Sequence, residues 1–357
     1  MHDQDFLSEL LNTPSPTGGE QPGQVVWARR IGAHSDQVEK DAYGNTWATM
    51  DGSSNDGPRL MLEAHADEIG FMVRYVSDDG FLYLTPVGGS DVAITRGKRI
   101  RLLGDRGEVC GVIANTAIHL RKDTSGDEKA PKWHEIHVDL GASKREEVEA
   151  LGLRVGHFAV YSQEPVLLQN GRLSARAIDN RISGYILARV FEELRKVTDR
   201  SPATVLAVNA VQEEVGGNGA TMISYRLSPD VALVFDVTHA TDTPGLDPKK
   251  VGMVKLGGGP SLTHGTANHP ALVKRLMEVA AREGIQIQHE ASSRFTGTDT
   301  DNVFVSKSGI PSALISIPLR YMHSPVELVD MADVESTVRL VVAFIRDLKA
   351  GEHFEVG

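Results

Sequence analysis

Cysteine is almost missing from this chain: Cys110 is the only one among 357 residues. No intramolecular disulfide can form, and a thiolate metal site is excluded with it. Long apolar runs are missing too. A helix that crosses a membrane needs about 18 consecutive apolar residues, and no such run occurs. Positive charge is in deficit, with Lys+Arg 37 against Asp+Glu 48 and a net charge of -11. So acidic a chain is a poor phosphate binder, which disfavours nucleic acid and an anionic membrane surface as partners. The opening residues MHDQDFLSELLNTPSPTGGE are acidic and broken by Pro14 and Pro16. They lack the basic start and apolar centre of a secretion signal, so a soluble cytoplasmic protein is expected. What is present is ordinary globular composition: 41% hydrophobic and 24% charged, which argues against long disorder. At about 150 residues per domain, the length suggests roughly two domains.

Several short apolar runs stop abruptly at charged or glycine-rich residues. Leu60 to Leu62 runs into Glu63, Ala64, His65, Ala66 and Asp67, and Thr204 to Val211 into Gln212, Glu213 and Glu214. Val231 to Phe235 ends at Asp236, and Ser312 to Pro318 is followed shortly by His323. Such nearly continuous runs read as strands buried on both faces. Helical spacing lies between them, over Asp179 to Val197, His269 to Glu283 and Met331 to Leu348, with a short helix at Phe6 to Leu11. Strands alternating with helices imply an α/β core with a mixed, mostly parallel sheet flanked by helices. The stretch 68–165 differs. Gly70 to Pro86 has a hairpin pattern about Asp79-Gly80, and Lys98 to Leu103, Glu108 to Ala114 and Glu135 to Leu140 are further short strands. Helical periodicity there is confined to Lys144 to Leu151. We read this stretch as a small β-barrel-like domain inserted between 1–67 and 166–357. Arg121 to Trp133 has no period and reads as a loop.

In an open parallel sheet, sites form beyond the carboxyl ends of the strands. Acid and imidazole groups gather at those inferred ends: His65 and Asp67, Glu213 and Glu214, Asp236, and His323, with Asp179 opening a long helix. Imidazole and carboxylate without sulfur suit Zn²⁺, Co²⁺ or Mn²⁺. Two histidines and three carboxylates suffice for two ions sharing one carboxylate. Each residue also has an ordinary explanation. Asp179 has the place of a helix cap, Glu213-Glu214 that of a solvated pair, His65 that of a core histidine and His323 that of a loop residue. Asp236 is harder to dismiss, because a carboxylate at a buried strand end needs a partner. Finding all of them at strand ends argues for a metal site. Adjacent strand residues point to opposite sides, so one of Glu213 and Glu214 can hold metal while the other faces a water, and spacing does not say which. His239 and His264 lie near the same loops.

The segments HADEIGFMV (65–73), RAIDNRISG (176–184), VQEEVGGNGA (211–220), VFDVTHATDTPG (234–245) and SIPLRYMHSPVELVD (316–330) together resemble the M42 family of dinuclear metallo-aminopeptidases, which includes the tetrahedral TET enzymes. The resemblance covers nearly the whole chain in order. It implies a zinc-peptidase-like fold and removal of N-terminal amino acids from short peptides. It further implies that Asp179 bridges two metal ions, that His65 and Asp236 complete one site, and that Glu214 and His323 complete the other. Asp67 would orient His65, and Glu213 would be the general base of the water that attacks the carbonyl. Dimers built through the inserted domain, and six dimers in a tetrahedral dodecamer, are implied as well. One departure concerns Gly297-Thr298-Asp299-Thr300-Asp301-Asn302, where the family often has Gly-Thr-Asp-Ala near the pocket for the N-terminal side chain. Asp299 and Asp301 are therefore candidate substrate-binding residues. Asp301 facing the pocket would favour basic side chains; otherwise Asp301 and Asn302 cap the next segment.

A second reading keeps the site but makes the chain a carboxypeptidase or N-deacylase, with Arg176, Arg181 and Arg320 as possible cations for a substrate carboxylate. A glycosidase would use a carboxylate pair but leaves the histidines without a task. A third reading is a non-catalytic, metal-stabilised scaffold, against which no ligand or base is missing.

Overall fold

The computed structural model describes residues 3–120 and 129–356. The part of the expected loop at 121–128 lies outside the described residues. In chain order the strands are β1 (Gln37–Lys40), β2 (Thr46–Met50), β3 (Arg59–His65), β4 (Gly70–Val76), β5 (Leu82–Val87), β6 (Arg99–Gly104), β7 (Gly107–Ala114), β8 (His137–Asp139), β9 (Phe158–Tyr161), β10 (Val166–Leu167), β11 (Arg172–Ala175), β12 (Thr204–Ala210), β13 (Val231–His239), β14 (Ser261–His264), β15 (Gln288–Ala291), β16 (Ser312–Arg320) and β17 (Glu327–Asp330).

Among the described residues, eleven strands form one sheet in the order β1-β2-β12-β3-β13-β16-β17-β11-β10, with β14 joined to β16 and β15 to β14. The centre, β12-β3-β13-β16, is parallel. The flanks β1-β2-β12 and β16-β17-β11-β10 are antiparallel. The sheet is thus mixed, parallel at its centre and antiparallel at both flanks.

The central strands are buried on both faces, and alternate residues serve different cores. Leu60, Leu62, Val205, Ala207, Leu233, Phe235, Ile315 and Ile317 meet helices Asp3–Asn12, Gln21–Gly32, Ile178–Lys196, Pro270–Arg282 and Met331–Asp347. Met61, Val208, Val234 and Leu314 meet Ala220 and Ile223 of helix Asn218–Leu227 on the other face. That parity continues to the strand ends: Glu63 and His65 follow Met61, and Asp236 follows Val234, on the second face. Val234 lies opposite Glu63, so two residues on Asp236 comes level with His65.

Strands β4 to β9 close into a six-stranded barrel in the order β4-β5-β8-β7-β6-β9. Its interior is a separate cluster containing Phe71, Leu82, Ile100, Leu102, Val138, Ala159 and Tyr161. The β4–β5 hairpin turns at Gly80, whose φ of +82° is a conformation that residues with a Cβ rarely adopt. No helix among the described residues is long and apolar enough to cross a membrane.

Candidate metal centre

The carboxyl ends of β3, β12, β13 and β16 face one cavity of about 540 Å³. His65 closes β3, and Asp236 lies near the end of β13. Beyond β12 the chain turns at Gln212, with φ +60°, into a short 3-10 segment Glu213–Val215. His323, also at positive φ, follows β16. Asp179 sits at the head of helix Ile178–Lys196 but has φ -74° and ψ 106°, outside helical geometry, and the peptide bond between Asp179 and Asn180 is cis.

The two oxygens of Asp179 face different histidines. Oδ1 lies 3.2 Å from His65 Nε2, and Oδ2 lies 3.3 Å from His323 Nε2. Asp236 Oδ1 is 3.6 Å from His65 Nε2, and Glu214 Oε2 is 3.4 Å from His323 Nε2. Two three-residue groups result, His65-Asp179-Asp236 and Asp179-Glu214-His323, each with donor atoms within 4.8 Å of one another. Glu213 lines the same cavity and places Oε2 3.8 Å from His65 Nε2, yet belongs to neither group.

The electrostatics describe a site built for added positive charge. Burial pushes Glu213 up to about 9, with Asp236 and Asp299 repelling its charged form. Burial likewise raises Glu214 well above the usual carboxylate range, and raises Asp236. Burial opposes charge on His65, but Glu213 and the surrounding carboxylates outweigh it and hold the imidazole well above its ordinary value. Asp179 is also pushed up by burial, which the His323 and His65 imidazoles outweigh, so its carboxyl falls below the usual range. Glu214 Oε1 is buried without a hydrogen-bond partner. No lysine or arginine lines the cavity among the described residues. An imidazole-carboxylate donor set with an orphaned buried oxygen and no resident cation fits divalent metal.

Two further carboxylates hold this arrangement in place. Asp67 is fully buried and faces His65 Nδ1 at 3.4 Å, which leaves Nε2 turned to the site. It also accepts the amides of Glu213 and Glu214 at 3.0 and 3.2 Å and the Thr17 hydroxyl at 2.8 Å. Burial pushes Asp67 up, but His65, the Glu213 amide and Thr17 hold it below the usual range. Glu327 accepts the His323 amide at 2.9 Å and the Asp179 amide at 3.1 Å. Glu327, at the start of β17, carries no sequence signal of its own. Gly89, beyond β5, is a second contact without a sequence signal: a Cβ there would stand 2.4 Å from His323 Nδ1.

Other expected residues are placed differently. Asp301 lines the cavity, but its oxygens accept the amides of Thr296 and Gly297 at 2.9 to 3.1 Å. Asn302 donates to the Gly216 and Gly217 carbonyls and to Thr221. Asp301 thus binds the loop before helix Thr300–Val303, and Asn302 binds the start of helix Asn218–Leu227. Asp299 is buried and is not part of the cavity lining; it faces Glu63, and burial raises both carboxyls, Glu63 to about 8. His239 lines the cavity, whereas His264 pairs with His289 at 3.0 Å. Arg176 and Arg181 are buried on Glu68, and Arg320 is held by Asp242.

The family described as M42 glutamyl aminopeptidase matches residues 44–340. A lysyl aminopeptidase of Pyrococcus furiosus is 33% identical over 98% of each chain. The solved aminopeptidase APDkam598 of the archaeon Desulfurococcus kamchatkensis is 33% identical, with a TM-score of 0.89 over 97% of this chain and 94% of that one. The TET1 peptidase of Pyrococcus horikoshii, whose structures form a tetrahedron or a large octahedral shell, is 27% identical with a TM-score of 0.84, covering 97% of this chain and all 100% of that one. The fold is accordingly the zinc-peptidase-like one.

Proposed function

The chain belongs to the M42 glutamyl aminopeptidase family and is a metal-dependent peptide hydrolase, and from that premise we propose a dinuclear aminopeptidase that removes N-terminal amino acids from short peptides. The observation that carries the dinuclear reading is the split of Asp179 between His65 and His323. His65 and Asp236 would hold one ion and Glu214 and His323 the other, with Asp179 shared. Zn²⁺ and Co²⁺ suit these ligands best, and Mn²⁺ is compatible with them.

Bound ions would supply Lewis acidity for the scissile carbonyl and acidify a water. Glu213, inside the cavity but outside both triads, takes the proton from the attacking water and returns it to the leaving amine. Asp67 fixes the backbone of both Glu213 and Glu214 by accepting their amides on one carboxylate. The acidic lining suits a free amino terminus. The cations a carboxypeptidase would need are committed elsewhere, Arg176 and Arg181 to Glu68 and Arg320 to Asp242.

The division into a catalytic domain (1–67 and 166–357) and a dimerisation domain (68–165) belongs to the same proposal. The barrel exposes Tyr75, Val112, Ile118 and Leu120, apolar surface suited to a second copy. Assembly of such dimers into a tetrahedral dodecamer would confine access to small peptides. Gel filtration at the mass of a single chain would contradict it.

The test of the activity is hydrolysis of matched peptides with free and acetylated amino termini by metal-loaded protein. Cleavage of the free forms alone is expected. Preference for the acetylated forms would make the chain a deacylase, and no hydrolysis with two ions bound would make it a scaffold.

A further inference from the structure

The barrel reaches the metal cavity through the loop 88–91, between β5 and β6, and Gly89 is its one contribution to the lining among the described residues. The loop is tied back to the barrel. Ser90 Oγ donates to the carbonyl of Gly70, where β4 begins, at 3.1 Å, and Asp91 accepts the Ala93 amide at 2.8 Å. The two glycines of the loop lie against two ligand candidates of the same triad. A Cβ on Gly88 would stand 3.2 Å from Glu214 Cβ and Oε2. One on Gly89 would stand 2.4 Å from His323 Nδ1 and 2.8 Å from its Cε1, closer than non-bonded atoms approach. Neither glycine has His65, Asp179 or Asp236 among its nearest neighbours. The Gly89 carbonyl also faces the His323 ring as an acceptor. It favours the proton on Nδ1, which leaves Nε2 to Asp179 and Glu214 at 3.3 and 3.4 Å.

We propose that the loop 88–91 positions the ligands of one ion only, and that Gly89, a carbonyl without a Cβ, sets that ion's affinity by orienting His323. The inference rests on the dinuclear reading above and adds an asymmetry to it. His65 and Asp236 belong to β3 and β13, so their ion is held by the sheet alone. The Glu214-His323 position is completed against the barrel. Gly89 is thus a positioning residue that acts through His323. Gly88 has a φ of +72°, so a Cβ there would add backbone strain to any contact. Gly89 lies outside the left-handed region, and Gly89→Ala therefore displaces the imidazole without straining the loop.

The experiment strips wild type and Gly89→Ala of metal and titrates each with Co²⁺, read by the visible absorption of bound cobalt and by competition with a chelating dye. Wild type should take up two ions. Gly89→Ala should hold one ion as wild type does and the other about 10- to 100-fold more weakly, the usual cost of disturbing a partner behind a ligand. Anomalous diffraction from the variant at one equivalent of cobalt should place the retained ion between His65 and Asp236. Ser90→Ala adds no bulk and only frees the loop from Gly70. It should weaken the same ion about fivefold, the worth of one hydrogen bond, and it decides the matter should Gly89→Ala not fold. An unchanged titration in either variant, equal weakening of both ions, or retention of the ion at Glu214 and His323 instead would each overturn the proposal. Wild-type protein that takes up a single ion would sink the dinuclear reading itself, whereas two ions in the wild type with no selective loss in the variants sinks only this inference.

Discussion

Asp67 Oδ1 accepts the backbone amide of Glu213 at 3.0 Å, and the same oxygen lies 3.4 Å from His65 Nδ1. One buried carboxylate thereby ties the end of β3 to the turn beyond β12, and a metal-ligand candidate to the proposed base. Asp67→Asn keeps the shape but replaces one acceptor oxygen with an amide that cannot accept. We expect a loss of about 10- to 100-fold in metal affinity or turnover, the usual cost of removing a partner behind a ligand. Competition titration with a chelating dye, alongside kcat, measures it. Unchanged values for both would leave Asp67 as a purely structural residue.

Glu213 and Glu214 are neighbours with different surroundings. Glu214 stands 3.4 Å from His323, while Glu213 faces His65 from outside either triad. Glu213→Gln should lower kcat by about 10²- to 10⁴-fold, the range for a general base, with metal content unchanged. Near-normal turnover would move the base elsewhere. Loss of bound metal would make Glu213 a ligand.

The acid-imidazole constellation was legible because it follows apolar runs that the sequence displays openly. His65 and Asp236 needed only strand parity and register to be brought together. The supporting contacts were less legible, since they are made to backbone. Glu327 acts on the amides of His323 and Asp179, and Gly89 acts by lacking a Cβ. Neither leaves a local pattern. Helix Gln21–Gly32 has a weak sequence pattern because Pro22 and Gly23 open it and its apolar face is short, although Trp27 is fully buried and donates to the Gly184 carbonyl. The pairing of Glu63 with Asp299 spans the fold and depends on tertiary packing alone.

Metal binding should release protons and tighten as pH rises. Burial holds Glu213 at about 9 and raises Glu214 and Asp236, so the metal-free site carries protons at neutral pH that a cation must displace. His65 is raised as well. Each raised group favours the folded metal-free chain below its unfolded value and loses that contribution as pH climbs through the folded one. Chelated protein should therefore lose stability between about pH 5 and 9, and metal at about 100 times its Kd should restore about 2.7 kcal/mol. Thermal unfolding with and without chelator across that range checks the sign. Calorimetry in buffers of different ionisation enthalpy counts the protons. Metal affinity that does not change with pH would contradict the account.

A separate pH effect lies outside the lining of the candidate metal cavity. Burial raises Asp333 to about 6, although the amides of Gly257 and Gly259, at 2.8 and 2.7 Å, pull it back. Its contribution is full below the ordinary value near 3.8 and is lost as pH rises through 6. The loss is on the order of 2–3 kcal/mol. Asp333→Asn does not titrate. Its stability relative to the wild type, both metal-loaded, should therefore improve from pH 4 to pH 7 on top of a constant offset. A constant difference across that range would show that Asp333 does not titrate there.

The most direct test of the dinuclear site is anomalous diffraction at the absorption edge of the bound metal, on crystals of the metal-loaded protein. Two peaks per chain are expected, one between His65 and Asp236 and one between Glu214 and His323, with an Asp179 oxygen on each. A single peak, or two that do not share Asp179, would contradict it.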